Sequence, residues 1–142
     1  MKGYSIASIS IEEVIPFGLA YAIKYKIPFS YKWVDEWAKY CQWFGAQCGG
    51  RTWGALGVMT CESMPDDLCV TCLYGKPQAT KIMLDHVLSF PHKHKFGYVA
   101  NFNKPFQRVL KKRGWRISPE TEVSPIGLNL HLVEYTGGGY GN

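Results

Sequence analysis

Thiols and imidazoles are the groups in this sequence that most directly suggest chemistry. Cysteines stand at positions 41, 48, 61, 69 and 72, and Cys69-Val70-Thr71-Cys72 has CxxC spacing, with His92 and His94 downstream. A zinc site of that kind calls for a second knuckle of matching spacing and a tight glycine-containing turn. Cys69 and Cys72 instead fall inside the apolar run Leu68 to Leu73, which reads as a buried strand. Residues three apart on a strand point to opposite faces, so a shared metal is geometrically awkward. Core thiols and no metal are the expectation. The odd cysteine count, with no apolar stretch after Met1-Lys2-Gly3-Tyr4-Ser5 to make a signal peptide, points to a reducing, cytoplasmic setting.

A second cluster is cationic: Arg108-Val109-Leu110-Lys111-Lys112-Arg113. The formal net charge of +5 allows an acidic or phosphorylated partner without requiring one. Cations in the last turn of a helix suit its dipole. No nucleic-acid module accompanies them, so nucleic acid is not an expected partner. No apolar run approaches the length of a membrane span.

These groups need elements to hold them. A chain of 142 residues, 46% apolar and 19% charged, suits one packed domain. Tyr4 to Ser10 reads as a first strand. Ser10 can cap a helix with Glu12 and Glu13 in its first turn and Val14, Ile15, Leu19, Ala22 and Ile23 at helical spacing. Trp33, Trp37, Tyr40, Cys41 and Phe44 form an apolar stripe that predicts a second helix, stopped by Gly45 and Gly49-Gly50. Trp53 to Cys61 and Leu68 to Tyr74 predict an antiparallel hairpin, with Met64-Pro65-Asp66-Asp67 as its turn. Gly75-Lys76-Pro77 opens a helix that ends at Pro91. Phe96 to Asn101 is a strand, Pro105 to Arg113 a short helix before Gly114, and Leu128 to Tyr135 a final strand. The order predicts an α/β fold, a mixed sheet with helices on its faces. The domain spans 1–135, followed by a glycine-rich tail at 136–142.

Two segments carry a family resemblance. In Asn103-Lys104-Pro105-Phe106-Gln107-Arg108-Val109-Leu110-Lys111-Lys112-Arg113-Gly114-Trp115, the residues Asn103, Lys112 and Gly114 fall at the spacing of the GNAT N-acyltransferases, with Trp115 in the aromatic place. In Tyr74-Gly75-Lys76-Pro77-Gln78-Ala79-Thr80, the segment resembles the GNAT pyrophosphate loop at a helix start. The resemblance implies a twisted mixed sheet in which the strands ending at Tyr74 and Asn101 are parallel neighbours that splay apart. It implies acetyl-coenzyme A as acyl donor. Its binding residues would be Val70, Cys72, Gly75, Lys76, Gln78, Ala79, Thr80 and Asn103, the loop cradling the pyrophosphate with the N–H groups of Gln78, Ala79 and Thr80.

The sequence departs from the family pattern at three places. Tyr74 replaces an Arg or Gln, Pro77 replaces a Gly, and Leu110 stands where many members place a proton-donating Tyr. Glu62 is a possible carboxylate base or simply a turn residue. Two functions follow. One is transfer of an acyl group to an amine. The other is a non-catalytic GNAT-fold contact protein, such as a phage virion component, working through a protein partner or as a homo-oligomer; the aromatic content and the glycine tail suit it.

Overall fold

The computed structural model describes residues 3–29 and 38–137. Eight strands belong to one mixed sheet flanked by helices, as the sequence predicts. The chain divides into two compact units, one of Met1–Thr60 with Val70–Pro91 and one of Cys61–Cys69 with His92–Asn142. Among the described residues no helix is long and apolar enough to cross a membrane.

In the first unit, β1 (Ser5–Ser8) pairs antiparallel with β2 (Gln42–Cys48), which pairs antiparallel with β3 (Arg51–Cys61). Helix α1 (Ile11–Tyr25) starts at Ser10, whose N–H donates to the Glu13 carboxylate at 3.2 Å. Its Val14 is buried with Trp43, Ala55 and Cys72, and Ile9, Phe17, Cys41 and Tyr74 pack around that cluster. Strand β4 (Met64–Gly75) then leads into α2 (Pro77–Val87), whose Ala79 and Met83 approach Gly54 of β3.

Two sequence expectations fail here. The helix drawn through Tyr40, Cys41 and Phe44 is a short 3-10 turn, Ala38–Tyr40, followed by β2. Trp33 and Trp37 lie outside the described residues. Gly49 and Gly50 are not a helix stop but the two central residues of a hairpin joining β2 to β3. Their φ angles, 60° and 76°, are the paired positive values that a type I′ turn demands. With β1 and β3 pairing on either side, the backbone of 42–48 is satisfied as a strand. The residues Met64 to Asp67 are likewise not a turn. Glu62 and Ser63 make the reversal, and Pro65 sits at the start of β4, a strand position that tolerates a missing N–H.

His86 of α2 lies between the Phe44 ring at 5.2 Å and the Phe90 ring at 5.4 Å. Burial depresses its basicity, because the imidazolium is poorly solvated there. The unfolded chain therefore takes up that proton more readily. Stability from this site is present above about pH 6.5 and is lost as pH falls through that value. Urea midpoints compared at pH 8 and pH 5.5 should drop less for His86→Phe than for the wild type.

In the second unit, β5 (His94–Ala100) lies beside β4 and pairs antiparallel with β8 (Asn129–Tyr135), which also pairs with β6 (Trp115–Ile117) and β7 (Glu122–Val123). The short strands β6 and β7 were not anticipated from sequence. Strands β4 and β5 are neighbours in the sheet order, and α2 lies between them in the chain, the connection that a parallel pair requires. Helix α3 (Lys104–Lys112) begins at Asn103, whose Oδ1 accepts from the Phe106 N–H at 3.4 Å. Asn103→Ala should lower unfolding free energy by about 1 kcal/mol, the usual cost of losing an N-cap, measurable by urea denaturation. After the helix, the Gly114 carbonyl accepts from Thr136 N–H, Thr136 Oγ1 and Gly137 N–H at 3.0–3.1 Å, which ties down the first residues of the expected tail. The rest of the tail lies outside the described residues.

Candidate functional site

The β4–α2 junction gathers most of the residues singled out by sequence. Gly75 has φ +128°, and a Cβ there would lie 2.4 Å from the Trp53 carbonyl oxygen and 2.5 Å from Gly54 Cα. Only glycine lets β4 turn this tightly against β3. The next N–H, from Lys76, donates to the Trp53 carbonyl at 3.1 Å. Lys76 then serves as the extended N-cap of α2 and offers no side-chain cap to the helix.

A helix start without a cap leaves its first N–H groups for an outside acceptor. Pro77 has none to give. Thr80 N–H is bonded to the Lys76 carbonyl at 3.0 Å, and Thr80 Oγ1 to the Pro77 carbonyl at 2.8 Å. The donors of Thr80 are thus used inside the helix, and of the three expected N–H groups those of Gln78 and Ala79 remain. Lys76 and Gln78 are exposed, while the Ala79 side chain is fully buried over β3. A larger residue at 79 would push the helix start off the sheet.

Val70 and Cys72 lie on β4 just before the junction. Cys72 is buried in the cluster of Val14, Trp43 and Ala55. Its neighbour Thr71 points to the same side: Thr71 Oγ1 is 3.5 Å from Cys41 Sγ, and a Cβ on Gly57 would sit between Thr71 Oγ1 and the Trp43 ring. Two successive residues facing one cluster break the alternation of a regular strand.

Tyr74 occupies the place of the family's Arg or Gln. Burial, then the neighbouring Cys72 thiol, then Tyr21 push its phenol well above the ordinary range, so it stays protonated. Its ring lies 5.5 Å from the Tyr21 ring, which is 4.7 Å from Tyr25. Leu110, in the place of the family's proton donor, is an almost fully buried core residue. Glu62 is exposed in the β3–β4 turn. Asn103 belongs to the second unit, where its side chain caps α3.

Sequence reasoning missed the rings on β5. His94 lies between Asp67 Oδ1 at 3.3 Å and Glu134 Oε2 at 2.9 Å and stacks on Phe96 at 5.1 Å. The spacing His94-x-Phe96-x-Tyr98 was the available signal, because alternate strand residues share a face. Among the described residues no group of three or more His, Cys, Asp or Glu side chains is placed to hold a metal ion.

No protein-family model matches the sequence, and no curated protein matches it. Solved structures do match in shape. An IAA acetyltransferase from Bacillus cereus superposes with a TM-score of 0.70 at 12% identity, over 93% of this chain and 98% of that one. A GNAT family acetyltransferase from Elizabethkingia anophelis with acetyl-CoA bound gives 0.70 at 11%, over 95% and 99%. Arabidopsis thaliana Naa50 in complex with the bisubstrate analogue CoA-Ac-MVNAL gives 0.69 at 14%, over 95% and 99%. The fold is that of the GNAT acetyltransferases. These neighbours lend no support to the phage virion expectation.

Proposed function

We propose that the protein is an N-acyltransferase that moves an acetyl or other acyl group from acyl-coenzyme A to an amine. The observation that carries this is the start of α2 without a side-chain cap, directly after β4, in a chain with the GNAT fold. A pyrophosphate fits there. Its oxygens accept from the Gln78 and Ala79 N–H groups, the helix dipole favours their charge, and the exposed Lys76 ammonium adds a point charge. The backbone of Val70 to Cys72 supplies bonds for the amide-bearing arm of the coenzyme. Asn103 holds the start of α3 in place.

Direct attack of the amine on the thioester carbon forms the C–N bond as the C–S bond breaks, and the amine's proton leaves as the thiolate is protonated. Such transfer gains chiefly from positioning and from stabilising the developing oxyanion, so Leu110 in the hydroxyl's place removes an aid rather than the reaction.

The test is a calorimetric titration with acetyl-coenzyme A, followed by thiol release with a panel of amines. Saturable binding and amine-dependent thiol release support the reading. No binding at millimolar donor would leave the alternative, a contact protein, which the blocked donor at Pro77 and the apolar Leu110 favour.

A further inference from the structure

Segment 101–119 carries six Lys or Arg and no Asp or Glu. Read along the chain, the end of a helix accounts for such a run, because cations there suit the dipole. The structure adds where those cations lie. In α3, Gln107 and Leu110 are buried, and the Gln107 side chain donates to the Ala100 and Asn101 carbonyls. Lys104, Arg108, Lys111 and Lys112 are all exposed. At about 100° per residue these four share one arc of the helix, opposite Gln107 and Leu110. Lys104, Arg108 and Lys112 follow one another at about 6 Å along the axis.

That arrangement works against the helix itself. Lys104 stands in the first turn, which holds no acid and where the dipole disfavours a cation. Lys104 with Arg108, and Arg108 with Lys112, are like charges four residues apart, and such pairs repel. Among the described residues Arg108, Lys111 and Lys112 form no ion pair, and the Lys104 ammonium donates to the neutral Asn101 Oδ1 at 3.3 Å. A polyanion laid along the row removes both penalties. Protein interfaces are built around buried apolar and aromatic anchors, and this arc offers none. A phosphate backbone binds through cations alone. At the Lys104 end stands Phe102, 39% exposed, its carbonyl accepting from the Lys104 N–H at 3.0 Å. An exposed ring at the end of a cationic row suits an unpaired base.

We propose that the outer face of α3 binds single-stranded RNA, its phosphates along Lys104, Arg108, Lys111 and Lys112 and one base on the Phe102 ring. All five residues belong to the second unit, and the surface stands independently of the acyl-transfer reading.

The test is fluorescence anisotropy of the full chain with a fluorescein-labelled oligouridine over a series of salt concentrations. Four phosphate contacts give a slope of about −3 in log affinity against log salt, so a fourfold rise in salt should weaken binding about fiftyfold. Lys112→Ala should reduce the slope by about 0.7. Phe102→Ala should weaken binding about tenfold and leave the slope as it was. Arg108→Glu separates binding from folding. It places an acid four residues from both Lys104 and Lys112, so its melting temperature should hold or rise, while binding is lost. Lys24→Glu, on α1, makes the same change in net charge and should bind as the wild type does. Absence of binding, a slope near zero, an unchanged affinity in Phe102→Ala, or equal losses in Arg108→Glu and Lys24→Glu would overturn the proposal. So would polyglutamate competing as well as unlabelled oligouridine, since the face would then be a seat for acidic protein.

Discussion

Gly75→Ala should cost about 3 kcal/mol or more of folding stability, a large share of what a domain of this size has. Two effects add. The φ of +128° lies where residues with a side chain are strained, by about 1–3 kcal/mol. The new methyl would also meet the Trp53 carbonyl and Gly54 Cα, both backbone atoms that cannot rotate away, and overpacking of that kind costs about 1–3 kcal/mol. Gly49→Ala is the matched control. Its φ is +60° and nothing lies within 4 Å of the added carbon, so only the backbone term of about 1–2 kcal/mol applies. Urea unfolding of the two variants measures the difference. Equal losses would mean that the β4–α2 junction is not packed as tightly against β3 as described.

Pro77→Gly should tighten acetyl-coenzyme A binding about tenfold. The change restores one N–H at the first helical position, beside those of Gln78 and Ala79, and removes ring bulk from the same place. A hydrogen bond to a charged group contributes about 1.5–3 kcal/mol, and the flexibility of glycine takes back about 0.4–1 kcal/mol. Pro77→Ala restores the donor without that flexibility and should do at least as well. Calorimetry on the three proteins gives the comparison. Affinity that stays flat across all three would show that the ligand does not lie over the start of α2. Binding in none of them would remove the acyl-transfer reading.

Helices α2 and α3 were legible because their ends carry local chemistry: Pro77 just inside one, Asn103 and Gly114 at the limits of the other. Segment 42–48 was not. Trp37, Cys41 and Phe44 also fit a helical stripe, and the feature that decides for a strand is pairing with β1 and β3, which is not a local property. At the site, Gly75, Lys76, Gln78 and Ala79 could be read from spacing. Which donors remain at the junction could not, because the Lys76 N–H is taken by Trp53, more than twenty residues earlier. The β5 rings were visible as a period of two, but nothing in the sequence says that α3 covers the opposite face and leaves Tyr98 in solvent.

The division of β4 has a consequence for how the chain is made. Residues 61–69 belong with segments that follow residue 91, whereas 70–75 belong with segments already synthesised. At roughly 5–20 residues per second on the ribosome, the stretch Met64–Cys69 waits seconds for β5 and β8 to emerge. During that interval the side of the strand that β5 will cover is an open edge ahead of an apolar run. Its opening Pro65-Asp66-Asp67 carries the two features that best discourage edge-to-edge association, a residue with no N–H to offer and adjacent like charges. The segment that reads locally as a turn thus acts as a gatekeeper on a nascent strand, and replacing it with β-formers should raise aggregation during synthesis more than it changes the finished protein.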